Sequence, residues 1–303
     1  MESNEKPIPK ICIGLPVYNG EKFIRNAIDS LLAQTYTNFE IIISDNGSND
    51  KTELICKEYV KKDCRVKYKR HKKNMGGIWN FNYVLEEAKS EYFMWAGVDD
   101  VWSSKFLEKN IVFLESNKKY VGSIGEVITY NSISKELIFE KEKYVKDKNF
   151  EHVHPIIGDY GKKVNFILKF CRASLIYGIF NRKVLKNSFI KNYFPTWDLA
   201  VILNIVKNGD IQVIPDVVLY RYVRDNPSPS KIKRLLDQNI PILKIVFFEV
   251  PFTYWCAKNI GKKNFSKNVH LFFVLNMKAE YTIILEVLRM CKRMVSGKNK
   301  FWI

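Results

Sequence analysis

The sequence predicts an α/β protein with a mixed, mainly parallel sheet flanked by helices and a helical extension at the C-terminal end. Two observations carry this. Segments of strand and helix periodicity alternate four times over about 115 residues from Lys10, which is how a chain lays down parallel strands joined by crossover helices. At DNPSPSK, residues 225–231, Pro, Ser and Asn break both periods, and the chain beyond turns basic and aromatic. We therefore divide the 303 residues into an α/β domain, 1–230, and a helical extension, 231–303. A hydrophobic content of 47% supports a packed core and excludes wholesale disorder.

KICIGL (10–15) is a short apolar run ending at Pro16, and predicts the first strand. Phe23, Ile24, Ala27, Ile28, Leu31 and Leu32 recur at helical spacing. FEIII (39–43) is the second strand, closed by SDNGSND, in which Asn49 or Asp50 can cap a helix presenting Leu54, Ile55, Tyr59 and Val60. RVKYKR (65–70) is a weaker third strand. HKKNMGG then leads to a helix with Ile78, Phe81, Val84, Leu85 and Ala88 along one side. EYFMWA (91–96) is the fourth strand. A helix from Ser103 turns Phe106, Leu107, Ile111 and Leu114 inward, and YVGSIGEVITY (120–130) is a further strand. Residues 131–163 read as a charged insertion, 164–171 as a short amphipathic helix, and LIYGIF (175–180) as a strand. A helix from Asp198 carries Leu199, Ile202, Leu203 and Val206. IQVIP and VVLYRYVR read as two last strands.

In a parallel sheet, ligands bind beyond the carboxyl ends of the strands. Three polar clusters fall there: Pro16–Asn19, Ser44–Asp50 and Asp99–Asp100. The last is the most telling, because the aromatic strand ends abruptly in two adjacent carboxylates. Such acids are costly beside an apolar strand unless a cation meets them, and a hard divalent cation suits their oxygens. Taken alone, the pair reads equally as a polar turn.

The ordered set LPVYNGEKFIRNAIDSLLAQTYTNFEIIISDNGSND, NMGG, MWAGVDD and TWD resembles the family 2 glycosyltransferases of GT-A fold, over about residues 10–225. That resemblance implies a Rossmann-like sheet and inverting transfer of a sugar from a nucleotide diphosphate donor, a UDP-sugar for choice, to a hydroxyl. By similarity, Pro16, Val17 and Tyr18 line the nucleotide pocket, with the Tyr18 ring free to stack on the base. Asp45 and Asn46 stand where the family has two acids; the amide leaves recognition of uracil open. Asn74 and Gly76 resemble the family's Asn-x-Gly segment, where glycine lets backbone approach the donor. Asp99 and Asp100 match the metal motif, although Val98 replaces its first acid. Asp100 is the implied ligand of Mg²⁺ or Mn²⁺, and Asp99 faces the ribose or the metal. Asp198 matches the general base, which must stand near the acceptor hydroxyl; at a helix start Asp also serves as a cap. Arg221 and Arg224 read equally as diphosphate clamps and as surface charge. The Gln-x-x-Arg-Trp of processive members is absent, which implies transfer of a single sugar. His71, Lys72 and Lys73 read as a solvated charge run.

The net charge is +17, and fourteen Lys and Arg stand against four acids in residues 231–303. With Phe247, Phe248, Phe252, Tyr254, Trp255, Phe272 and Phe273, this composition suits a helix at an anionic membrane surface and equally helices packed on the catalytic domain. Membrane contact would fit a lipid-linked acceptor of a cell-surface glycan. Six scattered cysteines without a C-x-x-C pair point to free buried thiols in a reducing compartment. With no apolar leader and no long apolar run, the expected location is cytoplasmic, peripheral on the inner membrane face. The charge also suits nucleic acid, but no nucleic-acid motif is present, so no nucleic-acid partner is expected. A sugar-phosphate nucleotidyltransferase would need a Gly-rich, Arg- and Lys-containing loop after the first strand, which LPVYNG is not.

Overall fold

The computed structural model describes residues 7–130, 150–151, 153–170, 173–191, 194–222 and 249–295. Among these, nine strands join one sheet. Its parallel half is built on β1 (Ile11–Val17), which pairs with β2 (Phe39–Asp45) on one side and β4 (Tyr92–Trp95) on the other. β3 (Val66–Arg70) extends the sheet beyond β2. The chain thus moves outward from β1 to β3 and then returns to β1's other flank. That reversal opens a crevice at the carboxyl ends of β1 and β4. β8 (Ile179–Asn181) runs antiparallel to β4 and to β6 (Tyr120–Tyr130), which carries β7 (Phe150–Glu151) at its far end. β9 (Asp210–Tyr222) lies parallel to β6, and β5 (Val101–Trp102) antiparallel to β9.

Strands buried on both faces read as continuous apolar runs, and all seven residues of β2 are buried. The covering helices include α1 (Ile24–Leu32), α2 (Thr52–Lys62), α3 (Gly77–Glu87) and α4 (Phe106–Ser116). Trp95 closes β4 fully buried among the rings of Phe81, Phe93 and Phe189. Its Nε1–H donates to the Phe81 carbonyl at 3.0 Å. The residues just after it start from a fixed point.

Several expectations need correction. β1 continues through Pro16 to Val17. β4 ends at Trp95, opposite Gly14, so the ladder on that side asks no N–H of Pro16. On α2, Ile55, Cys56 and Tyr59 face inward, whereas Leu54 and Val60 are 62% and 40% exposed; the Tyr59 hydroxyl donates to Asp29 of α1 at 2.5 Å. α4 starts at Phe106 rather than Ser103 because Val101 and Trp102 first pair with β9. IQVIP and VVLYRY, up to Tyr222, form one strand, whose register on β6 slips between Ile214 and Val218. Asp216 absorbs the bulge at φ 62°. In LIYGIF, Leu175–Tyr177 belong to a 3₁₀ turn, and the strand starts at Ile179. A helix absent from the sequence reading, α6 (Arg182–Ser188), follows it, capped by Asn181 accepting from Val184 N–H at 3.1 Å.

α5 (Tyr160–Phe170) begins within the stretch read as an insertion. Its Lys163 is buried, with Nζ donating to the carbonyls of Val206 and Gly209 at 3.2 and 2.6 Å and pairing with Asp210 at 2.8 Å. It ties off the end of α7 (Trp197–Ile205). Toward the C-terminal end stand α8 (Val250–Asn259), α9 (Lys262–Lys267) and α10 (Val269–Val295). Phe252, Cys256, Ile260 and Phe272 share the core of the sheet and its helices, whereas Tyr254 and Phe273 are exposed. DNPSPSK, Phe247, Phe248 and Arg224 lie outside the described residues. Of the cysteines described, Cys12, Cys56 and Cys256 are buried and Cys64 exposed. No helix among the described residues is long and apolar enough to cross a membrane.

Candidate functional site

The loops after β1 and β2 are stitched together backbone to side chain. Asn46 N–H donates to the Val17 carbonyl at 2.9 Å. Asn19, at φ 52°, donates its N–H to Ser48 Oγ at 2.9 Å and accepts Asn49 N–H at 3.0 Å. Gly20 and Glu21 donate to Thr52 Oγ1 and Asp50 Oδ2 at 2.8 and 3.1 Å. Asp50 also accepts Thr52 N–H at 3.0 Å, but it stands one residue before the N-cap of α2, which is Lys51 rather than the expected Asn49 or Asp50. Pro16 is part-buried and Val17 buried at the base of this crossing, while Tyr18 stands 47% exposed on its rim.

Asp45 is fully buried. One oxygen accepts Ser48 N–H at 2.8 Å, the other the Tyr68 hydroxyl at 2.7 Å, and Arg70 Nε lies 3.7 Å away. These bonds shape the SDNGS turn. Gly47, at φ +76°, lets that turn sit against Lys73, whose carbonyl carbon a Cβ would meet at 2.9 Å.

Asn46 is buried as well and clasps the segment before α3. Its Nδ2 donates to Asn74 Oδ1 at 2.8 Å and to the Gly76 carbonyl at 3.2 Å, and its Oδ1 accepts Met75 N–H at 2.9 Å. A carboxylate at this position could accept but not donate. The departure from the family's second acid therefore has a structural partner in Asn74. His71 is not a solvated charge. It packs edge-on against the stacked rings of Trp79 and Tyr83, its Nε2 is 2.9 Å from Ser44 Oγ, and burial, then Lys69, pulls its pKa down.

The aromatic strand β4 ends in a tight turn in which Asp100 N–H donates to the Gly97 carbonyl at 3.2 Å. A Cβ on Gly97 would come within 2.4 Å of Asp100 Oδ2, so a side chain there would displace the Asp100 carboxylate from its position. Asp100 is 2% exposed. Burial, and then the Asp99 charge, push its carboxyl up to about 7. Pairing of β5 with β9 sets Tyr222 N–H 3.4 Å from Asp100 Oδ1 and Arg221 Nε 3.9 Å from Oδ2. The Tyr130 hydroxyl donates to the Asp99 carbonyl at 3.1 Å.

Arg221 is not surface charge. Its Nη1 donates to Ser174 Oγ at 2.5 Å and lies 3.6 Å from Glu151, and its guanidinium covers the Tyr177 ring at 5.1 Å. Its buried Nε–H has no hydrogen-bond partner among the described residues. Sequence reasoning missed Tyr177, Glu151, Ser174 and Tyr130, which carry no motif and come from three separate elements.

Asp198 opens α7, part-buried, and its Oδ1 accepts the adjacent Leu199 N–H at 2.9 Å. Burial raises its pKa, against that bond and the Arg221 charge. Asp100, Arg221, Asp99 and Asp198 all act electrostatically on the Tyr177 hydroxyl. The predicted acids from β4 and from α7 therefore share one neighbourhood. Asp45, Asn46, Asn74 and Gly76 form a second cluster at the ends of β2 and β3.

Asp100 and Asp99 suit a hard divalent cation. Both are oxygen donors and they repel each other, and the Arg221 Nε paired with Asp100 stands 3.9 Å from its Oδ2. No group of three His, Cys, Asp or Glu able to hold a metal occurs among the described residues. An ion there would keep places for water and ligand oxygens, as Mg²⁺ commonly does.

A family model described as Glycosyl transferase family 2 matches residues 12–163. An uncharacterized glycosyltransferase of Rickettsia typhi is 38% identical over 152 residues, 49% of this chain and 46% of that protein. The UDP-Glc:alpha-D-GlcNAc-diphosphoundecaprenol beta-1,3-glucosyltransferase WfgD of Escherichia coli is 27% identical over 232 residues, 75% of this chain and 83% of that one. The chain spans about half the length of the Rickettsia relative. Among solved structures, S. aureus TarS 1–349 in complex with UDP-GlcNAc aligns with a TM-score of 0.53 at 20% identity, covering 72% of this chain and 60% of that one. Mannosyltransferase PcManGT from Pyrobaculum calidifontis, in complex with GDP-Man and Mn²⁺, aligns at 0.57 and 15% identity, covering 94% and 76%. At these identities the likeness shows the fold, which is the expected GT-A arrangement.

The Asn46 clasp makes a first prediction. Asn46→Asp removes both donors and leaves two carbonyl-type acceptors facing a carboxylate, which costs about 1–3 kcal/mol. Urea denaturation should show that loss, together with faster amide exchange at Met75 and Gly76. Unchanged stability and exchange would mean that the clasp does not hold the segment.

Proposed function

The chain belongs to glycosyltransferase family 2, and on that premise we propose that it transfers a single sugar, with inversion, from a nucleotide diphosphate-sugar to a hydroxyl of a glycan or lipid-linked acceptor in cell-surface glycan synthesis. The observation that carries this reading is Asp99 and Asp100 just past the end of β4, with Arg221 Nε 3.9 Å from Asp100 Oδ2 and its guanidinium 5.1 Å from the Tyr177 ring, and with Asp198 within electrostatic reach of the same tyrosine. Residues 1–230 would hold this machinery and 231–303 the extension.

In this reading the nucleoside lies against Pro16, Val17 and Tyr18, bordered by the Asp45–Asn46 turn and the Asn74–Gly76 segment it clasps. Asp99 faces the ribose. Asp100, with Asp99, would hold Mg²⁺ or Mn²⁺, whose charge offsets that of the departing diphosphate. Arg221, with its free Nε–H, balances the same negative charge from the protein side. Asp198 accepts the acceptor's hydroxyl proton as that oxygen bonds to the anomeric carbon and the bond to phosphate breaks. A base facing the side opposite the leaving group gives inversion. WfgD is named for UDP-Glc and a diphosphoundecaprenol-linked acceptor, which supports a UDP-sugar and a lipid-linked acceptor here.

On exposed faces, Tyr254 of α8 and Val269, Phe273, Met277, Tyr281 and Ile284 of α10 are at least half uncovered. The last five recur at helical spacing beside the exposed Lys262, Lys263 and Lys267 of α9. We read this stripe as a peripheral contact with an anionic membrane surface, the cytoplasmic face in a cell.

Three predictions follow from these assignments. With Mn²⁺ or Mg²⁺, calorimetry over a panel of UDP-, GDP- and dTDP-sugars should find metal-dependent binding to at least one, weakened about tenfold or more by Asp100→Ala. A panel with neither metal-dependent binding nor turnover would sink the assignment. Asp198→Asn should lower kcat by about 10²–10⁴. Because Asp198 works ionised and burial raises its pKa, kcat should fall as pH drops through a value above the ordinary carboxylate pKa of about 4. An acid limb at or below that value would contradict the role. Phosphatidylglycerol vesicles should co-sediment the protein and neutral vesicles should not, with Phe273→Asp abolishing the difference. Binding unaffected by that substitution would remove α10 from the contact.

A further inference from the structure

We propose that Glu249, at the head of the C-terminal helices, positions Asp198 by holding Thr196 in a strained backbone conformation. The proposal rests on the reading of Asp198 as the base and adds a residue from the extension to that machinery.

Thr196 stands at the N-cap of α7, two residues before Asp198, with φ 65° and ψ 21°. Among the described residues, the other non-glycine positions with positive φ are Asn19 and Asp216, side chains that tolerate the left-handed region. A β-branched residue does not, and a threonine there is an outlier that the surroundings must impose. Threonine at an N-cap ordinarily accepts a helix N–H with its hydroxyl, but Thr196 makes no such bond. Its Oγ1–H points instead between the two carboxylate oxygens of Glu249, 2.8 Å from each.

Glu249 directly precedes α8, and α8 brackets the catalytic helix. At the middle of α8, Trp255 meets Phe194, with ring centroids 6.3 Å apart. At its end, Lys207 Nζ, just past α7, donates to the Asn259 carbonyl at 3.1 Å. Trp197 is held from the sheet side by the rings of Phe81 and Phe189 at 5.9 and 5.6 Å. Thr196 is thus the link between a fixed indole and a carboxylate from the extension, and its φ and ψ aim the first turn of α7. Without the Glu249 bond, Thr196 relaxes toward negative φ and the Asp198 carboxylate moves with it. Glu249 acts through Thr196 and is a positioning residue, not a catalytic one.

The test uses the full chain with Glu249→Ala, Glu249→Gln, and Glu249→Ala combined with Thr196→Gly. Hydrogen exchange at the Leu199–Val201 amides needs no donor and reads the clamp itself. It should rise about tenfold in Glu249→Ala, while β1 and β4 stay as protected as in the wild type. kcat for UDP release from the donor should fall about tenfold, with calorimetric affinity for UDP and Mn²⁺ within about twofold of wild type. Glu249→Gln keeps an acceptor for the hydroxyl and should retain most of kcat. Thr196→Gly takes up the left-handed conformation unaided and should restore part of what Glu249→Ala loses. Unchanged exchange at 199–201 in Glu249→Ala, no recovery in the double variant, or an equal loss of UDP affinity would each overturn the proposal. Asp198→Asn with undiminished turnover would fail the base assignment alone, and the exchange result would still decide the clamp.

Discussion

A carboxylate that is 2% exposed at the end of an apolar strand is the constraint around which the catalytic half is arranged. Burying such a group without a partner costs several kcal/mol, and the chain concentrates its local peculiarities on that cost. Trp95 anchors the strand end through its indole bond to Phe81. Gly97 removes the one Cβ that would collide with Asp100. The two-residue β5 has little stability of its own, yet its pairing with β9 delivers both Tyr222 N–H and Arg221 to the two oxygens. The bulge at Asp216 lets β9 stay on β6 and still reach that far.

The side of the proposed nucleotide pocket is organised differently. Where the β4 turn balances charge, the loops after β1 and β2 are fixed by neutral and charge-assisted bonds that leave few polar groups free. Asp45 spends both oxygens on Ser48 and Tyr68, and Asn46 spends its amide on residues 74–76. Such a region is shaped before any ligand arrives, which lowers the ordering cost of binding. It also separates the roles of family positions: acids that look equivalent in a motif here divide into Asp45, which builds the loop, and Asp99 and Asp100, which stay at the crevice.

Much of this was legible in the chain. The alternation of strand and helix periods placed β1 to β4 and the helices between them within a few residues, because buried parallel strands and amphipathic helices leave strong one-dimensional patterns. The same topology placed the three polar clusters on one edge before any distance was known. What escaped was non-local. β5 is too short to show a period. Pro215 made one long strand look like two, since nothing in the sequence reveals that β6 can absorb a bulge. α6 is seven residues long and mostly polar. Lys163 and His71 looked like ordinary surface charge because their burial depends on carbonyls and rings contributed from distant segments. Arg221 stayed ambiguous for the same reason, as its partners Ser174, Glu151 and Tyr177 lie 44–70 positions away.

The looseness of the Asp100–Arg221 pair follows from what the site has to accommodate. A bidentate arginine fork on a carboxylate is short and fills both oxygens; such a pair would stabilise the empty crevice and compete with any cation. Here the approach is 3.9 Å, and the guanidinium spends its strongest bond on Ser174 while its face rests on Tyr177. Arg221 therefore softens the field of Asp100 without a short bond to its oxygens, and keeps its Nε–H unspent among the described residues. Two like charges with a partial counter-charge and room for more form an arrangement that is poor as a structural salt bridge and well suited to receive a cation with an anionic ligand. The fold tolerates the imbalance because the surrounding sheet, from Trp95 to the β6–β9 ladder, holds the groups in place whether or not they are paired.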